Sequence, residues 1–153
     1  MSKPLKLGLF VGAIAAVINL CVSFLLGFCG PAVALAAGAI VGYLIGHTAF
    51  DKSQAAREGA LSGAVVGLLL LVSQILAGVS ALTVARYLPA QNGWFHPPAP
   101  SAPPSEVTLY YLGGIGAGAC FGLIDIALAA LSGFFAAHFS AQDAPPPPPP
   151  VFE

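Results

Sequence analysis

Polar and apolar positions in this chain fall into long blocks rather than alternations. Four apolar blocks, near residues 7–28, 31–50, 59–85 and 107–139, carry one charged residue between them, Asp125. Each meets the roughly 20 residues that a helix needs to cross a hydrocarbon core. What separates them is short, polar or rich in proline. Cys29-Gly30-Pro31 divides the first two blocks, pairing a glycine that ends a helix with a proline suited to the first turn of the next. Residues 51–58, Asp-Lys-Ser-Gln-Ala-Ala-Arg-Glu, form the most polar stretch and join the second block to the third. Residues 86–106 precede the fourth and include five prolines from Pro97 to Pro104, which favour a stiff extended path. The pattern predicts an all-α polytopic membrane protein with four transmembrane helices arranged as two tandem hairpins. It gives one transmembrane domain over 1–140 and a proline-rich tail over 141–153.

Composition supports the same reading. The chain is 58% hydrophobic and 7% charged, where a soluble domain carries about 25% charged residues. Eleven charges, five basic and six acidic, cannot coat a water-facing surface, so lipid is the expected surrounding. No basic excess exists to neutralise phosphates, which argues against a nucleic-acid partner. Cys21, Cys29 and Cys120 show no CxxC or Cys/His pairing, and neither a disulfide framework nor a zinc site is expected. The apolar run from Leu7 to Phe28 is longer than the 7–15 residues of a signal-peptide core, so it is expected to stay as a helix.

Orientation follows from the basic residues. Lys3, Lys6, Lys52 and Arg57 fall on one side and Arg86 on the other, which predicts cytoplasmic termini in a bacterial inner membrane. Tyr87, Trp94, Tyr110 and Tyr111 then gather at the outer boundary as an aromatic belt. Ser105 followed by Glu106 reads as the cap of the fourth helix. That helix, 35 residues from Ser105 to Phe139, is longer than a bilayer needs and must tilt or protrude.

Glycines recur at spacings of four: Gly8 and Gly12; Gly38, Gly42 and Gly46; Gly59, Gly63 and Gly67; Gly114, Gly118 and Gly122. Such GxxxG stripes put missing side chains on one helix face, where another backbone can approach closely. They predict a compact bundle, or docking into a homo-oligomer or larger membrane complex. An offset of 51 pairs Gly8, Gly12 and Gly27 with Gly59, Gly63 and Gly78, and an offset of 80 pairs Gly38 and Gly42 with Gly118 and Gly122. The two offsets suggest a duplicated helical hairpin with an insertion before the fourth helix.

Asp125 is the position of greatest chemical interest. A carboxylate among apolar neighbours costs several kcal/mol unless it is protonated, paired or wet, so such residues mark ion or proton paths or a structural hydrogen bond. No Lys or Arg lies at matching depth. The expected local partners are Asn19 in the first helix and Gln74 in the third, with Ser23 and Ser73 nearby. His47 and His138 fall near the cytoplasmic helix ends without a ligand motif, and His96 lies in the exterior loop, so no metal or cofactor is expected. No nucleophile with a base, phosphate loop or carboxylate pair is present, which predicts no enzyme activity.

The order of helix, Gly-Pro turn, glycine-striped helix, short loop with Ala-Arg-Glu-Gly-Ala at 56–60 and another glycine-striped helix resembles small uncharacterised four-helix membrane families of prokaryotes. That likeness covers residues 7–83 and implies a four-helix fold without bringing an activity or site residues. The chain is also similar in length to the four-helix proteolipid of rotary ATPases, which has a carboxylate in its fourth helix where Asp125 stands. It departs from that family by lacking alternate-residue glycines in helices one and three and by its proline-rich loop. The expected function is a non-enzymatic structural or accessory subunit. The alternative is an oligomeric proton or cation transport component using Asp125. The six prolines at 145–150 add a candidate polyproline-binding partner for the tail.

Overall fold

The structure, a computed structural model, describes residues 3–26, 30–85 and 97–142. Expectations attached to Cys29, to Arg86, Tyr87, Trp94 and His96, to the Ser23 side chain and to the tail 143–153 fall outside the described residues. The described chain is all-helical, with helices α1 (Lys3–Leu26), α2 (Gly30–Gly46), α3 (Lys52–Ala85) and α4 (Pro104–Ser140). Three of them, α1, α3 and α4, are long and apolar enough to cross a membrane. The 17 residues of α2 extend about 26 Å at 1.5 Å per residue.

Three helix ends differ from the sequence expectation, each for a local reason. The polar stretch 51–58 belongs to α3 from Lys52 onward. Asp51 Oδ1 accepts from the backbone N–H groups of Ser53 at 2.8 Å and Gln54 at 3.3 Å, which satisfies donors that a helix start leaves orphaned. The small residues Ala55 and Ala56 are buried while Lys52, Gln54 and Arg57 face outward, so this polar segment still has an inner face to pack. Helix α2 stops at Gly46 rather than near residue 50. His47, Thr48 and Ala49 continue in turns, donating to the carbonyls of Tyr43, Ile45 and Gly46. At α4 the cap is Pro103, without a side-chain hydrogen bond, and Ser105 lies inside the helix. A proline with φ near −61° is already shaped for a helix entry and has no N–H to leave unpaired.

Helix directions follow from which residues meet. Gly8, Gly12 and Asn19 lie against Ser62, Val66 and Ser73, so α1 runs parallel to α3. Gly38, Gly42 and Gly46 lie against Ala129, Gly133 and Ala137, so α2 runs parallel to α4. Gly63, Gly67 and Gly78 meet Ala129, Ile126 and Gly114, so α3 and α4 are antiparallel. The α3–α4 pair is the most extensive interface, and α2 sits against both of its members. Helix α1 packs mainly on α3, touches α2 lightly and does not approach α4 among the described residues.

The core is made of small side chains. Ala15, Ala34, Ala37, Ala129 and Ala137 are buried, joined by Val41, Val66 and Leu70. The large apolar residues Phe10, Val17, Leu109, Leu123, Phe135 and Phe139 are exposed. A water-soluble domain buries its large apolar side chains first. Here that order is inverted, as expected where lipid is as apolar as leucine and only close packing distinguishes inside from outside.

Candidate functional site

The buried face of α4 runs through Gly114, Gly118, Gly122, Asp125, Ala129, Gly133 and Ala137. Steps of three and four keep these positions on one side of the helix. Asp125 therefore occupies a core position between a glycine and an alanine, and it is fully buried. On α1 the corresponding stripe is Gly8, Gly12, Ala15 and Asn19, with Asn19 also fully buried. Ser73 and Gln74 occupy the buried side of α3.

Three hydrogen bonds organise this polar layer. Asn19 Nδ2 donates to Ser73 Oγ at 2.7 Å, and Ser73 Oγ donates to the Leu70 carbonyl at 2.8 Å. One residue further along α3, Gln74 Nε2 donates to Asp125 Oδ2 at 3.3 Å. Gln74 is thus brought to Asp125, whereas Asn19, on α1, is held by the neighbouring Ser73, and α1 does not approach α4 among the described residues. The other carboxyl oxygen, Asp125 Oδ1, is buried without a hydrogen-bond partner among the described residues.

The sequence did not point to Gly30 as a member of this layer. Read there as a helix end, it is the first residue of α2 and is buried against the Gln74–Asp125 pair. A Cβ at this position would land on Gln74 Nε2 and lie 2.9 Å from Asp125 Oδ2. Only a glycine lets the start of α2 lie this close to the amide and carboxyl groups. The signal for this was the adjacent Gly30-Pro31 pair, since proline also marks a helix's first turn.

The striped glycines all turn toward neighbouring helices. A Cβ added at Gly8 would sit 2.9 Å from the Ser62 carbonyl oxygen, and one at Gly12 would sit 3.1 Å from Val66 Cα. At Gly118 it would lie 3.0 Å from the Gln74 carbonyl, and at Gly122 2.8 Å from Leu71 Cα. At Gly42 it would fall on the Gly133 backbone; at Gly59, Gly63 and Gly67 it would run into Gly133, Ala129 and Ile126, and at Gly46 into Ala137 and Ser140. Gly114 faces the Leu82 side chain. Glycines paired by the sequence offsets meet different partners: Gly8 faces Ser62, and Gly59 faces Gly133 and Ala137.

His47 is exposed beside the Tyr43 ring, 5.8 Å between centroids, and His138 stacks on Phe134 at 6.3 Å. Among the described residues no three His, Cys, Asp or Glu side chains gather in a metal-ligating group. What the polar layer can offer chemically is one buried carboxyl with an amide donor on one oxygen and hydrogen-bonding capacity left on the other.

Comparison with protein-family models, with curated proteins and with solved structures returns no match to this chain.

Proposed function

We propose that this chain is an integral membrane protein of four spans, two helical hairpins in tandem, that works without catalysis as a structural or accessory subunit of a bacterial inner membrane. The observation that carries the membrane part of this reading is the inverted core, small residues predominating within, beside Leu70, Val41 and Val66, and most of the large leucines, isoleucines and phenylalanines exposed. The fourth span would be α2, whose 17 residues sit at the short end of the range for a crossing helix. Glycine faces that admit close backbone contact supply the packing attraction available in lipid, where burial from water does not operate between helices. An accessory role agrees with a sequence that pairs no nucleophile with a base and carries no phosphate-binding pattern. The excess of Lys and Arg near the N-terminus and the α2–α3 connection supports cytoplasmic termini.

The test is purification of the full chain in mild detergent with mass spectrometry of what accompanies it. A membrane protein recovered in fixed proportion supports the accessory role. A chain that emerges alone, as a monomer, counts against it.

A second reading is favoured by one observation, the unpartnered oxygen of Asp125: a proton or cation transport component. Asp125→Asn in reconstituted vesicles should abolish ion flux, and flux unchanged by the substitution would sink this reading.

A further inference from the structure

We propose that Asp125 is a proton-binding site with an assigned geometry: the proton resides on Oδ1, Oδ2 is the carbonyl oxygen that accepts from Gln74, and Gly30 closes the layer. This deepens the second reading by naming the ion and the atom, but it requires only binding and release of a proton, not net transport.

The assignment follows from counting donors and acceptors. An ionised carboxylate has two oxygens that each seek hydrogen bonds, and a buried one left unsatisfied is costly in apolar surroundings. Among the described residues Asp125 has a single donor, Gln74 Nε2, and it serves Oδ2. Oδ1 is fully enclosed with none. Transfer of one proton from hydronium to Oδ1 breaks an O–H bond of the donor, forms one on Oδ1, releases water, changes no oxidation state and removes the negative charge. It leaves Oδ2 as the carbonyl, with its donor already in place. The reverse choice would put a hydroxyl where the amide N–H points and leave a carbonyl without a donor.

Among the described residues no charged group replaces the proton. From α3, Gln74 faces Asp125, and the charges of that helix, Lys52, Arg57 and Glu58, lie in its first two turns. From α2, Gly30 faces it, and the titratable side chains at the far end, Tyr43 and His47, are exposed. On α4 itself Cys120 is exposed and His138 lies more than three turns away, against Phe134. Helix α1 does not approach α4, and its Cys21 is exposed. A larger cation would need several oxygen ligands at once, whereas one carboxyl and one donating amide suit a proton. The start of α2 adds a second feature at the same place. Gly30, the first residue of α2, lies against both Gln74 and Asp125, so the layer is closed there by backbone rather than by a side chain.

The experiment is infrared difference spectroscopy of the full chain in lipid vesicles, stepped through pH. The expected result is a carboxylic-acid C=O band that vanishes on raising pH and is missing from Asp125→Asn. Because Oδ2 carries the hydrogen bond, Gln74→Leu should move that band to higher wavenumber, as for an acid carbonyl freed of its donor. Replacing sodium by potassium should leave the titration midpoint in place; a midpoint that follows sodium concentration would overturn the assignment of the ion. A band that never titrates while the protein stays folded, or no band sensitive to Asp125→Asn, overturns the proposal. Where Asp125→Asn disturbs folding, the Gln74→Leu band shift decides alone, and an unmoved band refutes the geometry. A titrating band without vesicle flux leaves the proton site standing and removes transport.

Discussion

Asn19 on α1 and Ser73 on α3 are joined by a 2.7 Å hydrogen bond between two buried side chains. The bond matters because α1 rests mainly on α3, while α2 lies against both α3 and α4. At the opposite end of the same interface, Ser62 Oγ donates to the Pro4 carbonyl at 2.9 Å. Between these two polar ties the packing relies on Gly8, Gly12 and Ala15, which offer close approach but little area.

Asn19→Leu should therefore loosen α1 more than it disturbs the other three helices. Interhelical hydrogen bonds in membranes average somewhat below 1 kcal/mol, and a bulkier side chain at a fully buried site adds strain, so a loss of about 1–2 kcal/mol is expected. Unfolding in detergent by a graded denaturant, followed by circular dichroism, measures the total. Proteolysis should show residues 3–26 becoming accessible before the rest. Simultaneous release of all four helices would show that α1 is more integrated than its contacts suggest.

Two glycines predict opposite outcomes for the same substitution. A Cβ at Gly42 would fall on the Gly133 backbone, whereas one at Gly116 meets nothing within 4 Å. Gly42→Ala must force α2 and α4 apart and should cost on the order of 1–3 kcal/mol, as overpacking does. Gly116→Ala should be neutral or stabilising by up to about 1 kcal/mol, because alanine is the better helix former. Melting temperatures of the two variants in one detergent make the comparison, and equal effects would refute the contact geometry.

The helical class and three long apolar helices are legible in the blocks of apolar residues, because the requirement for about 20 such residues is one of composition. Helix ends are less so. The stretch 51–58 looks like a loop by its charges, yet Ala55 fills a core position against Ala137 and Ala141, a fact that only the tertiary contact reveals. Asp125 and Gln74 stand out as polar residues in apolar blocks, and depth along the helices suffices to match them. That Asn19 goes to Ser73 instead depends on α1 packing on α3 and not on α4, which single-helix patterns do not encode. Gly30 escaped notice for a similar reason: a glycine before a proline marks a helix boundary, not what that boundary leans on.

Asp51 offers a test of the lengthened α3. Its Oδ1 accepts from the N–H groups of Ser53 and Gln54, and replacing an N-cap aspartate with alanine costs about 1 kcal/mol. Asp51→Ala should fray the first turn of α3, which also carries the Gln54–Glu58 side-chain hydrogen bond of 2.9 Å. Amide hydrogen exchange at residues 53–56 should rise while residues 62–74 stay protected. Asp51→Asn should retain most of the protection, because its side-chain oxygen can still accept. Exchange at 53–56 unaltered by Asp51→Ala would mean that the burial of Ala55 and Ala56 holds this turn without the cap.

The inverted core makes the last prediction, through two substitutions on neighbouring turns of α4. Ala129 is fully buried where α2 and α3 both come close, since a Cβ at Gly38 or at Gly63 would strike it. Leu123 is exposed at 62%. Ala129→Leu adds three carbons where two helices already touch and should cost about 1–3 kcal/mol of bundle stability or more, while leaving the helix as ready to enter a membrane as before. Leu123→Arg leaves the buried core untouched, but a cation near the middle of a lipid-facing helix costs roughly 2.5–3.5 kcal/mol on insertion. The two defects separate by assay: Ala129→Leu reaches the membrane and melts early, and Leu123→Arg is depleted from the membrane fraction. In water the exposed position would accept arginine readily, so undiminished membrane recovery together with improved solubility of Leu123→Arg would contradict the assignment of that face to lipid.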